Sequence, residues 1–155
     1  MKKTAKLLVL PGDGIGAEVM SQGLRVLAAA AEVFEFDLEI EMDLIHGQAW
    51  EKYGTVCRDK TVLTAKDSDG VLVGAVGEIQ DKHAPNSSNP EENDGLMRLR
   101  KELDVFAGLR PAVSSPYLSD QLPYRDEISK GVDIIVLREM CGGVVFAEHR
   151  GIELL

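Results

Sequence analysis

Cysteine and histidine are scarce in this chain of 155 residues. Cys57 and Cys141 stand far apart, which favours two reduced, buried thiols over a disulfide. The three histidines are scattered singly. We therefore expect no metal site built from histidine and cysteine side chains.

Basic residues are fewer than acidic ones, and long apolar runs are absent. The chain carries 26 acidic and 17 basic residues, a net charge of −9, which argues against nucleic acid because phosphate contacts need a basic face. No run approaches the roughly 18 apolar residues of a membrane span. The apolar run LLVL after the N-terminal lysines is too short for a secretion signal. These features predict a cytoplasmic protein.

The apolar patterns of the first half predict alternating strands and helices. The predicted elements are strands over 7–11, 37–44 and 70–76, the last fully buried, and helices over 17–32 and 61–66, the second beginning near Val56. This order is typical of an α/β fold with an open, largely parallel sheet and flanking helices.

A polar stretch over 78–94 predicts a long exposed loop before a strand-rich second half. The elements predicted beyond it are a helix over 95–103 and strands over 106–113, broken by Pro111, over 132–138 and over 143–148. We place a domain boundary near residue 100, which gives domains over 1–99 and 100–155.

Three arginines are candidates for binding an acidic ligand. Arg110 and Arg138 lie at or near the ends of apolar runs, and Arg100 lies on the predicted helix. A guanidinium is a fixed cation whose planar fork of donors suits carboxylates. Taken singly, each arginine is more simply explained as a surface residue or as part of an ion pair. If all three converge, they would form a pocket for a small molecule with two or more carboxylates.

The turn PGDGIGA has two interpretations. Its glycines Gly12 and Gly14, with Ala17, match a phosphate-binding turn between strand and helix. A tight strand-to-helix turn explains the pattern equally well. Asp13 would place a carboxylate in a phosphate loop, and no acidic residue clearly ends the second strand at the expected offset of about 20 residues.

The predicted helix after the loop has a distinctive face. Asn93, Leu96, Met97 and Arg100 stand at i, i+3, i+4 and i+7, which predicts that they share one side of a helix. On this pattern alone, the two apolar residues are core. The strand VLVGAVG ends in glycines, and ligands of open α/β sheets bind beyond such strand ends.

Four motifs in order, LPGDGIGAEV, VLVGAVG, LRKELDVFAGLRPA and GVDIIVLRE-x-x-GG, closely resemble the β-decarboxylating dehydrogenases. This family includes the 3-isopropylmalate, isocitrate, homoisocitrate and tartrate dehydrogenases. The resemblance covers essentially the whole chain. It implies the N-terminal half of such an enzyme, with residues 1–99 in the cofactor-binding domain and 100–155 in the substrate and dimerisation domain.

The resemblance also implies roles for individual residues. Arg100, Arg110 and Arg138 match the arginines that bind the substrate carboxylates, and Leu96 and Met97 match residues that contact an apolar substituent. The residues that the resemblance places beside the cofactor are Ile15, Gly74, Ala75, Val76, Gly77, Glu78 and Asn93.

The activity implied is NAD-dependent oxidative decarboxylation of a 3-substituted malate, foremost 3-isopropylmalate, with tartrate and D-malate as alternatives. The catalytic residues and the ligands of Mg²⁺ or Mn²⁺ are expected beyond residue 155, so this chain alone should be inactive. The complete enzyme is expected to be a homodimer. A non-catalytic dicarboxylate- or nucleotide-binding module and an α/β interaction domain with ion-paired arginines remain alternatives.

Overall fold

The computed structural model describes residues 3–77, 90–115, 117–118 and 123–142. The chain forms two compact units, Met1–Leu103 and Asp104–Leu155. The assignment of 1–99 to cofactor binding and of 100–155 to substrate binding and dimerisation stays a prediction. The strand predicted over 143–148 lies outside the described residues.

The first unit alternates strands and helices around a parallel sheet, so the predicted α/β fold class is confirmed. Its strands are β1 (Thr4–Gly12), β2 (Asp37–Met42) and β3 (Gly70–Ala75). Its helices are α1 (Gly16–Val33), α2 (His46–Tyr53), α3 (Asp59–Asp67), α4 (Pro90–Asn93) and α5 (Gly95–Glu102). Within the part of the chain described, no helix is both long and apolar enough to cross a membrane.

The core of this unit lies on its central strand. β1 pairs in parallel with both neighbours, in the order β2-β1-β3. The core side chains are Leu8, Leu10, Ile45, Ala65 and Leu99, with Val71, Val73, Val76 and Leu103 packed against them. Full burial of a leucine or isoleucine contributes about 1.5–3 kcal/mol, so these contacts fix β1, α3 and α5 together.

Four elements of this unit differ from the predictions. β3 is half-buried rather than fully buried, because it pairs only with β1 and so forms an edge of the described sheet. α2 was not predicted, since its sequence HGQAWEKY places only His46 and Ala49 in the interior. Residues 90–93 form α4 where a loop was predicted, and α3 begins at Asp59 rather than near Val56.

The second unit contains β4 (Ala107–Val113), α6 (Asp126–Ser129) and β5 (Asp133–Glu139). β4 and β5 form an antiparallel pair, in which Pro111 lies opposite Ile135. The predicted break at Pro111 is therefore wrong.

The hydrogen-bond pattern of this pair explains why a proline is tolerated. The Ser114 N–H donates to the Val132 carbonyl at 2.8 Å, and the Met140 N–H donates to the Phe106 carbonyl at 2.7 Å. Because hydrogen-bonded and non-hydrogen-bonded pairs alternate, Pro111 falls in a non-hydrogen-bonded pair. Its missing N–H faces away from β5 and removes no bond of the ladder.

Candidate functional site

Close backbone contacts shape the turn between β1 and α1. A Cβ atom on Gly12, whose φ is +77°, would lie 1.9 Å from the Ala75 carbonyl oxygen. A Cβ atom on Gly16 or on Gly74 would lie 2.1 Å from the Pro11 carbonyl oxygen. These glycines allow the turn to pack directly on the end of β3. The packing accounts for them without a phosphate, which supports the interpretation as a tight turn.

Asp13 is directed into the protein rather than towards a ligand. Its Oδ1 accepts a hydrogen bond from the Gln48 N–H, and its Oδ2 accepts one from the Gly77 N–H, both at 3.0 Å. The Asp13 N–H donates to the Ala75 carbonyl oxygen at 2.7 Å. A carboxylate beside the first turn of α2 is also favoured by the helix dipole. The N-terminus of α2 is thus already supplied with an anion.

The candidate cofactor residues of the first unit gather at the carboxyl edge of the sheet, where open α/β sheets bind ligands. Ile15 lies in the turn after β1 with 63% of its surface exposed. Gly74 and Ala75 end β3, and Val76 and Gly77 follow them. Glu78 lies outside the described residues. Cofactor binding by this group stays a prediction.

Asp94 begins the helix that carries the candidate specificity residues. Its carboxylate accepts hydrogen bonds from the Leu96 N–H at 2.8 Å and the Met97 N–H at 3.2 Å, as a helix N-cap does. The extended backbone at Asp94 separates α5 from α4, which ends at Asn93. The prediction that Asn93 shares a helix face with Leu96, Met97 and Arg100 is therefore wrong; these three remain together on α5 and are half-buried.

The opposite flank of α5 is held against α3. The Arg98 guanidinium donates to the Cys57 carbonyl oxygen at 2.5 Å and forms an ion pair with Asp59. The Lys66 ammonium donates to Glu102 at 2.7 Å, and this hydrogen bond lowers the pKa of the Glu102 carboxyl. Residues two positions apart point about 200° apart around a helix. Arg100 is therefore directed away from the flank that Arg98 ties to α3.

His46 is a buried polar residue that no sequence pattern predicted at this position. It is 7% exposed, and its φ of +57° is unusual for a residue other than glycine. Its Nδ1 lies 3.7 Å from Asp94 Oδ1 and makes no hydrogen bond within the described part of the chain. Backbone strain of this kind is retained where neighbouring contacts fix the residue.

Arg110 and Arg138 share one face of the second unit's sheet. Arg110 pairs with Val136, and Arg138 pairs with Gly108. Side chains alternate along a strand, so the two arginines are diagonal neighbours, at a separation of about 7–8 Å that long side chains can bridge. Both are exposed, and neither forms an ion pair with a described residue. The convergence of Arg100 with them stays a prediction.

Neither cysteine forms a disulfide; Cys57 is buried and Cys141 is half-buried. Burial raises the pKa of the Cys57 thiol to about 11. At neutral pH this thiol is therefore protonated, and it is no nucleophile.

The chain matches the model of the isocitrate/isopropylmalate dehydrogenase family over residues 6–154. It is 42% identical over 150 residues to 3-isopropylmalate dehydrogenase of Aquifex aeolicus, covering 97% of this chain and 41% of that protein. With 3-isopropylmalate dehydrogenase of Hydrogenovibrio crunogenus it shares 40% identity over 152 residues, covering 98% of this chain and 42% of that protein.

The fold also resembles those of solved structures. A β-decarboxylating dehydrogenase from Thermococcus kodakarensis gives a TM-score of 0.61 at 27% identity, covering 87% of this chain and 33% of that protein. Isocitrate dehydrogenase from Methylococcus capsulatus gives a TM-score of 0.69 at 22% identity, covering 97% of this chain and 39% of that protein, and supports the fold alone. The chain thus spans about two fifths of its curated relatives' length, and it belongs to the isocitrate/isopropylmalate dehydrogenase family.

Proposed function

We propose that this chain supplies part of the substrate and cofactor site of an NAD-dependent dehydrogenase that decarboxylates 3-isopropylmalate. The observation that carries the proposal is the placement of Arg110 and Arg138 on one sheet face without ion-pair partners among the described residues. Two exposed guanidiniums at this spacing suit a small molecule with two carboxylates. The identities to proteins named 3-isopropylmalate dehydrogenase support the choice of substrate.

The arginines act by binding and orientation. Arg110 and Arg138 would each hold a carboxylate through paired N–H donors, which fixes the carbon that bears the hydroxyl group. Leu96 and Met97, half-buried on α5, offer apolar surface for a branched substituent. Binding of the branch and binding of the carboxylates are therefore assigned to different side chains.

The cofactor side is assigned to the carboxyl edge of the first unit's sheet. NAD, when bound, would supply a hydride acceptor for oxidation at C2 of the substrate, and the resulting 2-oxo acid could then lose its β-carboxylate as carbon dioxide. Exposed Ile15 offers apolar surface to the adenosine half, and we assign the nicotinamide half to Gly74–Gly77 at the end of β3. The Asp13 carboxylate at the start of α2 would repel the pyrophosphate, so we place no phosphate there.

Mg²⁺ or Mn²⁺ would polarise the substrate's oxygen in such an enzyme. Among the described residues, however, no three histidine, cysteine, aspartate or glutamate side chains come together to hold an ion. We therefore assign the ion to none of them and derive no step from it. We further propose that the complete protein acts as a homodimer in the cytoplasm, as the family resemblance implies.

The test is an assay of the complete gene product with NAD and with Mg²⁺ or Mn²⁺. The substrates are 3-isopropylmalate, isocitrate, tartrate and D-malate, each assayed separately, and the formation of reduced nicotinamide is measured. We expect the highest kcat/KM with 3-isopropylmalate, and a dimer by light scattering. Turnover of none of the four would contradict the enzyme assignment, and a preference for another acid would contradict the substrate. We expect no turnover by the 155-residue polypeptide alone, which spans about two fifths of its relatives.

A further inference from the structure

The Asp13 carboxylate joins three segments of the first unit. Asp13 itself belongs to the turn that carries Ile15. One oxygen accepts from the Gln48 N–H in the first turn of α2, and the other accepts from the Gly77 N–H after β3, each at 3.0 Å. Because each oxygen has its own backbone donor, the carboxylate fixes the separation of all three segments.

The surroundings of Asp13 fit an aspartate and leave little space. A Cβ atom built on Gly47 would lie 2.8 Å from Asp13 Oδ1 and 3.2 Å from Cγ. A Cβ atom built on Gly77 would lie 3.8 Å from the Asp13 Cβ. A side chain at position 47 would therefore crowd the Asp13 Oδ1 that accepts from the Gln48 N–H.

We propose that Asp13 is a positioning residue for the dinucleotide: it holds Ile15 and Gly74–Gly77 in the arrangement that binds the cofactor. This inference rests on the proposed function, because it assumes that these segments face NAD. Asp13 acts through the backbone it holds, since its charge disfavours direct contact with a pyrophosphate. Its effect should therefore fall on cofactor affinity rather than on the chemical step.

Two variants of the complete gene product disturb this carboxylate in different ways. Asp13→Asn removes the charge and replaces one acceptor with an N–H₂ group, which faces a backbone donor. Gly47→Ala keeps the charge of the carboxylate and crowds its Oδ1, the acceptor of the Gln48 N–H. Matched controls are Asp37→Asn, an exposed aspartate at the start of β2, and Gly23→Ala, an α1 glycine with open space around its Cβ position.

The measurements are KM for NAD, kcat, and amide hydrogen exchange at Gln48 and Gly77. We expect both test variants to raise KM for NAD about tenfold, as loss of a charge-assisted hydrogen bond does, with kcat within about twofold of wild type. Exchange at the two amides should accelerate, and both controls should match wild type. If Asp13→Asn does not fold, the values of KM and kcat for Gly47→Ala test the positioning role.

The two possible failures are distinguishable. A wild-type protein that binds no NAD contradicts the proposed function, and the positioning role with it. A wild-type protein that uses NAD, with an unchanged KM in the test variants or with a loss confined to kcat, contradicts only the role given to Asp13. An equal rise in KM for NAD in the controls contradicts it as well.

Discussion

The Arg58 guanidinium donates a hydrogen bond to the Asp43 carboxylate across 2.5 Å, and so ties the end of β2 to the start of α3. The Leu44 N–H donates to the same oxygen, Oδ1, at 2.8 Å, and the Thr61 hydroxyl donates to the other oxygen, Oδ2, at 2.6 Å. The Arg58 guanidinium also lies 4.0 Å from the centre of the Tyr53 ring. The Asp43 side chain is only 8% exposed, so its charge depends on these partners.

Asp43→Ala should destabilise the fold at neutral pH. Burial alone would raise the pKa of Asp43, but hydrogen bonds from Thr61, Leu44 and Arg58 together lower it below its ordinary value of 3.8. A carboxyl with a lowered pKa stabilises the fold above its unfolded pKa and loses that contribution as the pH falls through its folded pKa. We expect a loss of about 2–3 kcal/mol in the free energy of unfolding, measured by urea denaturation.

The pH dependence gives the check on this interpretation. The difference between wild type and Asp43→Ala should be constant above about pH 5 and should narrow below about pH 4, as the pH falls towards the lowered pKa of the folded-state Asp43 carboxyl. Asp37→Ala, at an exposed position, should change stability by less than about 0.5 kcal/mol. A difference that stays constant down to acidic pH would show that the charge of Asp43 is not what stabilises the fold.

Gly74→Ala should destabilise the protein through a backbone contact. An added Cβ would lie 2.1 Å from the Pro11 carbonyl oxygen and 3.2 Å from the Gly16 carbonyl oxygen, and backbone atoms cannot move aside as a flexible side chain can. We expect a loss of about 3 kcal/mol or more in the free energy of unfolding. Gly23→Ala, in open space on α1, should instead stabilise by up to about 1 kcal/mol. Equal denaturation midpoints for the two variants would contradict the close packing.

The parallel sheet could be predicted because its strands are local apolar patterns. LLVL and VLVGAV mark β1 and β3, and the helical stripe after Gly16 marks α1. The G-D-G-I-G pattern left a tight turn and a phosphate-binding turn equally open, because the Ala75 carbonyl that packs against Gly12 lies far along the chain. The alternation and spacing of side chains are sufficient for such features.

The contacts that organise the candidate site depend on distant partners, which no local pattern encodes. The contacts of Asp13 depend on Gln48 and Gly77, and the backbone of His46 is held by the Val56 carbonyl oxygen, which accepts from the His46 N–H at 2.7 Å. The N-cap at Asp94 had a local signal, since an aspartate directly before a helix is a common start. The strand break wrongly predicted at Pro111 shows the same limit, because the cost of a proline depends on the register of its pair.

Arg110→Lys should reduce turnover of every substrate of the complete gene product. A lysine keeps the charge but replaces a planar fork of donors by a single point donor, so the paired contact to a carboxylate is lost. We expect kcat/KM to fall about tenfold or more with both 3-isopropylmalate and D-malate. Arg125→Lys, an exposed arginine of the same unit, should leave both values unchanged. A fall with only one of the two substrates would place Arg110 away from the shared carboxylates.

Leu96→Ser should change the choice between substrates rather than the rate with all of them. Leu96 is half-buried on the α5 flank that also carries Arg100 and that lies opposite the flank held by Arg98. The isopropyl group would lose apolar contact worth about 1–3 kcal/mol, whereas D-malate has no branch to lose. We expect the ratio of kcat/KM for 3-isopropylmalate to that for D-malate to fall about tenfold, as measured by steady-state kinetics. The matched control is Leu63→Ser, at an exposed leucine of α3, which should leave this ratio unchanged. An unchanged ratio in the Leu96 variant would mean that this flank of α5 does not select the substrate.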